Sequence, residues 1–311
     1  MRSEFVFEQA PFASAHASTI AETPKGLVAA WFSGPHEGHP EVGIWLARQE
    51  GGRWSYPVEV AQGVDRQGRR QPCWNPVLCQ PNAGPLLLFY KVGQSPRRWW
   101  GMMMRSADHG RSWTGPEALP EGILGPIKNK PIELAHGALL CPSSTEHRGW
   151  RCHLERTLDL GATWERPVAL EAPWRFGTIQ PCLLDWPDGR IQLLCRTREG
   201  VIGEAWSTDG GRVWTRLRPT ALPNPDSGID AVVLRDGRAL LVYNAARRAR
   251  TPLNLALSTD ARRWRPSHLL EDGPGEFSYP TVIQGEDGRI HVTYTWQRRR
   301  IRYVSFLPDE L

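Results

Sequence analysis

The sequence predicts an all-β chain folded as a six-bladed β-propeller, its ring closed by an N-terminal strand that joins the last blade. Three observations carry this. An Asp-centred box ending in Trp recurs at intervals of about 50 residues along the chain. A second repeat, the start of an apolar strand, runs in phase with the box and occurs six times. The last unit runs out of chain before a box could occur, and a strand-like segment stands unused near the N-terminus.

The box comes in three clean copies, Ser106-Ala-Asp108-His-Gly110-Arg-Ser-Trp113, Thr157-Leu-Asp159-Leu-Gly161-Ala-Thr-Trp164 and Ser207-Thr-Asp209-Gly-Gly211-Arg-Val-Trp214. Ser258-Thr-Asp260-Ala-Arg-Arg-Trp264 is one residue shorter, and Ala47-Arg-Gln49-Glu-Gly51-Gly-Arg-Trp54 is decayed. The pattern suits a tight turn between two strands. Asp caps backbone N–H groups, Gly takes a backbone conformation other residues resist, and Trp covers the turn with apolar area. It is a folding device and says little about chemistry.

Strand starts follow in order at His16-Ala-Ser-Thr-Ile, Asn75-Pro-Val-Leu, Lys130-Pro-Ile-Glu-Leu, Gln180-Pro-Cys-Leu-Leu, Asp230-Ala-Val-Val-Leu and Tyr279-Pro-Thr-Val-Ile. Each is followed by a hairpin signal: Lys25-Gly26, Asn82-Ala-Gly84, His136-Gly137, Asp188-Gly189, Asp236-Gly237 and Asp287-Gly288. A unit of four short strands in about 50 residues is a propeller blade. The expected blades are 11–66, 67–125, 126–175, 176–225, 226–275 and 276–311, with 3–8 completing the sixth, all in one domain over 1–311. The box lies between strands three and four, so a last blade of three strands has none. Phe5-Val6-Phe7 is the expected fourth strand, which removes an open edge.

Composition narrows the function. A hydrophobic fraction of 40% supports an extended core, and no apolar run nears the roughly 18 residues of a membrane helix. The N-terminus MRSEFVFEQAPF has no basic segment followed by an apolar one, so a cytoplasmic location is expected. The six cysteines show no metal-ligand spacing and read as buried thiols. The net charge of +5 is almost wholly arginine, since lysine occurs only at 25, 91, 128 and 130. The arginines are scattered without a nucleic-acid motif, so no nucleic-acid or membrane partner is expected.

In an up-and-down blade, connections alternate between the two faces of the disc. The hairpins and boxes share one face, and the strand starts and strand 2–3 loops share the other. That second face collects His16, Asn75, Lys130, Gln180, Asp230 and Tyr279, one per blade. Its loops are Gly34 through His39, Lys91 through Trp100, Ser143 through Glu146, Arg196-Thr-Arg198, Asn244 through Arg250 and Trp296 through Arg300. Convergent polar groups with aromatic rims suit a sugar, whose hydroxyls need hydrogen bonds and whose faces need stacking surfaces. Structural water and satisfied backbone groups are the plainer account of any one of these residues. His36 and His39 have a metal pair's spacing but no evident third ligand, so no metal or cofactor is expected.

The boxes, together with AWFSGPHEGHPEVGIW (30–45), QPCWNPVL (71–78), GPIKNKPIEL (125–134), SGIDAVVL (227–234) and YPTVIQGEDGRIHVTYT (279–295), resemble the bacterial and plant BNR (Asp-box) sialidase-like, or neuraminidase-like, family over nearly the whole chain. That resemblance implies three arginines on a substrate carboxylate, a tyrosine nucleophile assisted by a glutamate, and an aspartate acid/base. Tyr279 matches the tyrosine and Arg196 resembles the second arginine. His16 stands where the first arginine belongs, and Gln180 replaces the glutamate.

The reading that follows is a glycoside hydrolase acting on an acidic glycan. Tyr279, Asp230, Glu37, His16 and Glu146 are its catalytic candidates. Asn75, Lys91, Lys128, Asn129, Lys130, Gln180, Arg196 and Asn244 are its substrate-binding candidates. Its partner is a carbohydrate carrying an acidic sugar or uronate. The alternatives are a uronate lyase, in which His or Tyr moves the proton while Asn and Lys neutralise the carboxylate, and a non-catalytic glycan-binding propeller.

Overall fold

A computed structural model describes residues 1–147 and 149–311. The strands pair antiparallel within six sheets set side by side as blades of a propeller. Blade 1 holds Ser14–Thr23, Gly26–Gly34, Gly43–Glu50 and Val58–Val64, extended at its outer edge by Arg70–Gln71. Blade 2 holds Cys73–Cys79, Leu86–Val92, Trp100–Ser106 and Glu117–Ala118, and blade 3 holds Ile132–Glu133, Leu139–Thr145, Arg151–Thr157 and Val168–Ala169. Blade 4 holds Thr178–Asp185, Ile191–Thr197, Val201–Ser207 and Arg218–Pro223, and blade 5 holds Asp230–Val233, Ala239–Asn244, Leu253–Ser258 and Arg265–Glu271. Blade 6 holds Phe277–Gln284, Ile290–Trp296 and Arg300–Phe306, with Arg2–Phe5 from the N-terminus as its fourth strand.

The closing strand sits a few residues earlier than expected. Arg2 through Phe5 pair with Ser305 through Arg302, and Val6 N–H donates once more to Ile301 O at 2.9 Å. Val6 and Phe7 then leave the sheet and bury themselves between blades 6 and 1, where the Phe7 ring stacks on Trp31 with centroids 5.0 Å apart. Apolar burial outweighs ladder extension here, because a Phe or Val side chain gains about 1.5–3 kcal/mol on leaving water.

The boxes form the turns read from their sequence. In the second blade, Asp108 Oδ1 accepts from Ser112 N–H at 2.8 Å and Ser106 Oγ accepts from Gly110 N–H at 2.7 Å. The box glycine is left-handed, φ +92° at Gly161. Trp164 and Trp214 each return an indole N–H to the box glycine carbonyl.

The first strand of four blades breaks register at its inner end, between His16 and Thr19, Trp74 and Val77, Ile179 and Cys182, and Ser278 and Thr281. In each break one non-glycine residue is left-handed: Ala17, Asn75, Gln180 and Tyr279 at φ 54°, 40°, 52° and 53°. β-bulges of this kind re-aim a side chain and cost backbone strain. Three of the four residues were singled out above as strand starts. In blade 1 the left-handed position belongs to Ala17, and His16 precedes it.

The core lies between blades. Val77, Leu87 and Phe89 of blade 2 pack on Leu139 and Cys141 of blade 3, and Cys182, Leu184 and Leu194 of blade 4 on Ala231 and Leu241 of blade 5. All six cysteines are free thiols, and five are buried. No helix among the described residues is long and apolar enough to cross a membrane.

Candidate functional site

The bulge of blade 6 turns Tyr279 into a cluster formed with residues of blades 1, 4 and 5. Arg196, at the end of the second strand of blade 4, donates to Tyr279 Oη at 2.6 Å and to Gln180 Oε1 at 3.1 Å. Gln180 closes the triangle by donating from Nε2 to Tyr279 Oη at 3.3 Å. The other edge of the Arg196 guanidinium binds Asp226. Arg196, Gln180 and Tyr279 are all buried. Three donor–acceptor contacts on one planar guanidinium fix its orientation as a lysine could not.

His16 reaches the same phenol from blade 1, its ring centroid 4.2 Å from that of Tyr279 and its Nδ1 3.0 Å from Thr295 Oγ1. Burial pushes the imidazole well below the usual histidine range, and Arg298, Arg250, Arg196 and Lys128 push the same way. His16 is therefore neutral at physiological pH.

Two further arginines complete a basic wall. Arg250 lies 5.5 Å over the Tyr279 ring, and Glu276 ties it to Arg298 by bonds of 2.9 and 2.8 Å. Burial opposes ionisation of Glu276, yet Ser278, Arg298 and Arg250 together hold its carboxyl below the usual range. Glu37 pairs with the other end of Arg298. Trp150 forms the opposite wall, between Arg196 at 4.9 Å and Arg198 at 4.3 Å. Its indole N–H donates to Glu146 Oε2 at 2.9 Å, and burial raises the Glu146 carboxyl while Arg196 opposes the rise.

The structure thus brings together Tyr279, His16, Gln180 and Arg196, with Glu37 and Glu146 at the rim. Asn75 occupies the equivalent bulge of blade 2 and is buried. The remaining candidates lie elsewhere. Lys91 is wholly buried between blades, donates to Pro126 O at 2.9 Å, and is pulled by burial down to about 7, against the pull of Glu155. Asn244 is buried and spends its amide on Pro252 O and Phe277 O. Lys128 and Asn129 are buried on the axis with their donors used internally.

Asp230 accepts from Lys130 Nζ at 2.7 Å and from Val282 N–H at 2.8 Å. Lys130 opens on a cleft of ≈ 420 Å³ at the hairpin face, lined by Glu22, Gln80, Gln284 and Glu286. Asp230 and Lys130 are therefore turned away from Tyr279. His36 and His39 pack edge to face at 5.2 Å. Among the described residues no three His, Cys, Asp or Glu side chains converge as metal ligands do.

Arg250, Arg298, Asp226, Glu276, Trp150 and Thr295 were not singled out from sequence. Arg250 and Arg298 sit in loops already assigned to this mouth, and the basic residues there were the available signal. Chemically, the cluster offers guanidinium donors for an anion, a phenol held by one of them, a neutral imidazole beside it and a partly buried carboxyl.

Comparison with known proteins agrees with this fold. The BNR repeat-like domain family matches residues 25–292. No curated protein sequence matches the chain. Among solved structures, a Dyadobacter fermentans protein of unknown function is similar with a TM-score of 0.82 at 18% identity, covering 98% of this chain and 97% of that one. The NanB sialidase from Streptococcus pneumoniae gives 0.79 at 13% identity, covering 99% and 71%. The intramolecular trans-sialidase from Ruminococcus gnavus, in complex with oseltamivir carboxylate, gives 0.76 at 14% identity, covering 96% and 95%. At these identities the likeness is one of fold.

Proposed function

The chain belongs to the BNR repeat-like domain family, and on that premise we propose that it is a glycoside hydrolase taking the acidic sugar of a glycan at the Tyr279 mouth. The observation behind this reading is the Tyr279 hydroxyl held at 2.6 Å by Arg196 inside a wall of arginines. Arg196 and Arg250 would take the sugar's carboxylate. A phenol facing such a sugar meets none of the charge repulsion that a carboxylate nucleophile would. In the proposed reaction the adjacent neutral His16 takes the phenolic proton as Tyr279 attacks the anomeric carbon, and the leaving oxygen takes a proton from Glu146. Glu146 then takes a proton from the water that hydrolyses the glycosyl–tyrosine bond, and His16 returns its proton to the departing Tyr279 oxygen. Burial keeps Glu146 protonated to higher pH than an exposed carboxyl, which suits a general acid.

One observation favours a second reading. Gln180 donates to Tyr279 and cannot take its proton, whereas the adjacent His16 is neutral and can accept one. A uronate would suit that pair. His16 would take the proton α to the carboxylate, Tyr279 would protonate the leaving oxygen, and an unsaturated uronate and a free hydroxyl would result.

A panel of sialosides and uronosides tests both. Release of reducing sugar without new ultraviolet absorbance, lost in Tyr279→Phe, supports hydrolysis. Absorbance of an unsaturated uronate, lost in both Tyr279→Phe and His16→Gln, supports elimination. Binding of the panel with no turnover would refute both and leave a glycan-binding propeller.

A further inference from the structure

Three consecutive residues of blade 3 reach across the propeller axis to the innermost strands of blades 4, 5 and 6. Lys130 engages Asp230 and Ala231 O of blade 5 toward the hairpin face. Asn129 donates from one amide nitrogen to Gln180 O and Pro181 O, both at 3.0 Å. Lys128 donates to Asn129 Oδ1 and Ile229 O, each at 2.9 Å, and to Pro280 O. Gln180 O, Pro181 O and Pro280 O sit at the two bulges that aim Gln180 and Tyr279, while Ile229 O and Ala231 O belong to the unbulged start of blade 5. Lys128 and Tyr279 also flank Gly228. A methyl group added at Gly228 would meet Lys128 Cε at 3.1 Å and Tyr279 Cγ at 3.3 Å.

The donor count matters. An ammonium has three N–H groups, and the two carbonyls and the amide oxygen use all three. A neutral amine has two, and methionine at this position would have none. None of the three acceptors is a carboxylate, so the charge of Lys128 is spent on backbone geometry rather than on an ion pair.

We propose that Lys128 is a positioning residue: with Asn129 it clamps the bulges of blades 4 and 6, and so sets where Gln180 and Tyr279 stand for an acidic sugar. Its effect on the ligand rests on the function proposed above, and the clamp itself does not. A pH signature follows. Burial pulls the Lys128 ammonium down to about 8, with Asp230 and Cys182 raising it and Lys130 lowering it, and His16 and Tyr279 are the titratable groups facing it from the mouth. Above that pH one of three acceptors loses its donor and the clamp loosens.

The test compares wild type with Lys128→Met, Gly228→Ala and Asp159→Ala, the last removing box hydrogen bonds remote from the mouth. Affinity for N-acetylneuraminate and for glucuronate is measured by calorimetry from neutral to alkaline pH. Because small displacements of a site group are costly, Lys128→Met is expected to bind about tenfold more weakly and to lose the alkaline limb, with Asp159→Ala within about twofold of wild type. Lys128→Met with wild-type affinity and an intact limb would overturn the proposal. Should Lys128→Met not fold, Gly228→Ala decides, since it keeps every donor and presses on both side chains: severalfold weaker binding with the alkaline limb moved from its wild-type pH supports the clamp, and wild-type affinity with an unmoved limb overturns it. A wild type that binds neither acid counts against the proposed function alone. Amide exchange of segment 276–283 then decides the clamp: faster exchange in Lys128→Met than in Asp159→Ala supports it, and equal exchange overturns it.

Discussion

Replacing Phe7 by Ala should open the propeller at its one non-consecutive seam. Phe7 is 7% exposed, stacks on Trp31 at 5.0 Å and meets Phe12 edge-on at 5.3 Å. Truncating a buried Phe to Ala costs about 3–5 kcal/mol, part for lost transfer and part for the cavity left behind. The closing strand Arg2–Phe5 that leads into the seam is short and its first two residues are exposed, while Ile20 and Trp31 of blade 1 and Ile301 and Tyr303 of blade 6 pack the rest of it. Against a total stability of about 5–15 kcal/mol, this is a large fraction.

The loss should be read as a lower urea midpoint at unchanged slope, which would show that cooperativity survives. The same seam aligns His16 and Glu37 of blade 1 with Tyr279 and Arg298 of blade 6, so weakened acidic-sugar binding should accompany it in any preparation that binds the sugar. A loss under about 1 kcal/mol would refute the view that this contact holds the ring shut, because a surface truncation costs that little.

Arg250→Met should weaken binding of an anionic monosaccharide severalfold and flatten its dependence on salt, as titration at low and high ionic strength would show. His16 gives a pH prediction. Its folded pKa lies below its unfolded value near 6.5, so the unfolded chain binds more protons in that window and stability falls as pH drops below about 6.5. Denaturation at neutral and mildly acid pH should show that His16→Gln removes up to about 1.4 kcal/mol per pH unit of the loss, leaving the part that buried His291 contributes.

The architecture was legible because its determinants are local. A box turn is decided within eight residues, and the strand starts at Asn75, Gln180 and Tyr279 are marked by the proline that follows each. The site was legible to the level of which loops share a face. Depth along the axis was not. Lys128, Asn129 and Lys130 look alike as a polar run, yet two are spent on carbonyls under the mouth and the third faces the opposite opening. Asp230 reads as a mouth carboxylate by analogy with Tyr279. Its strand begins without the bulge, so its side chain points to Lys130. Asp226 and Glu276 lie in irregular segments where no periodicity announces a partner. Their roles follow only from which arginines the loops carry inward.

The four bulges share one left-handed backbone turn. Each is an interchangeable socket: the same backbone turn, supplied by its own blade, presents a methyl at Ala17, amides at Asn75 and Gln180, and a phenol at Tyr279. The strain of each turn belongs to the strand and not to the side chain it displays. Chemistry at such a mouth can therefore be exchanged one tool at a time, without recasting the frame, and propellers of one shape can drift to different substrates through a few residues.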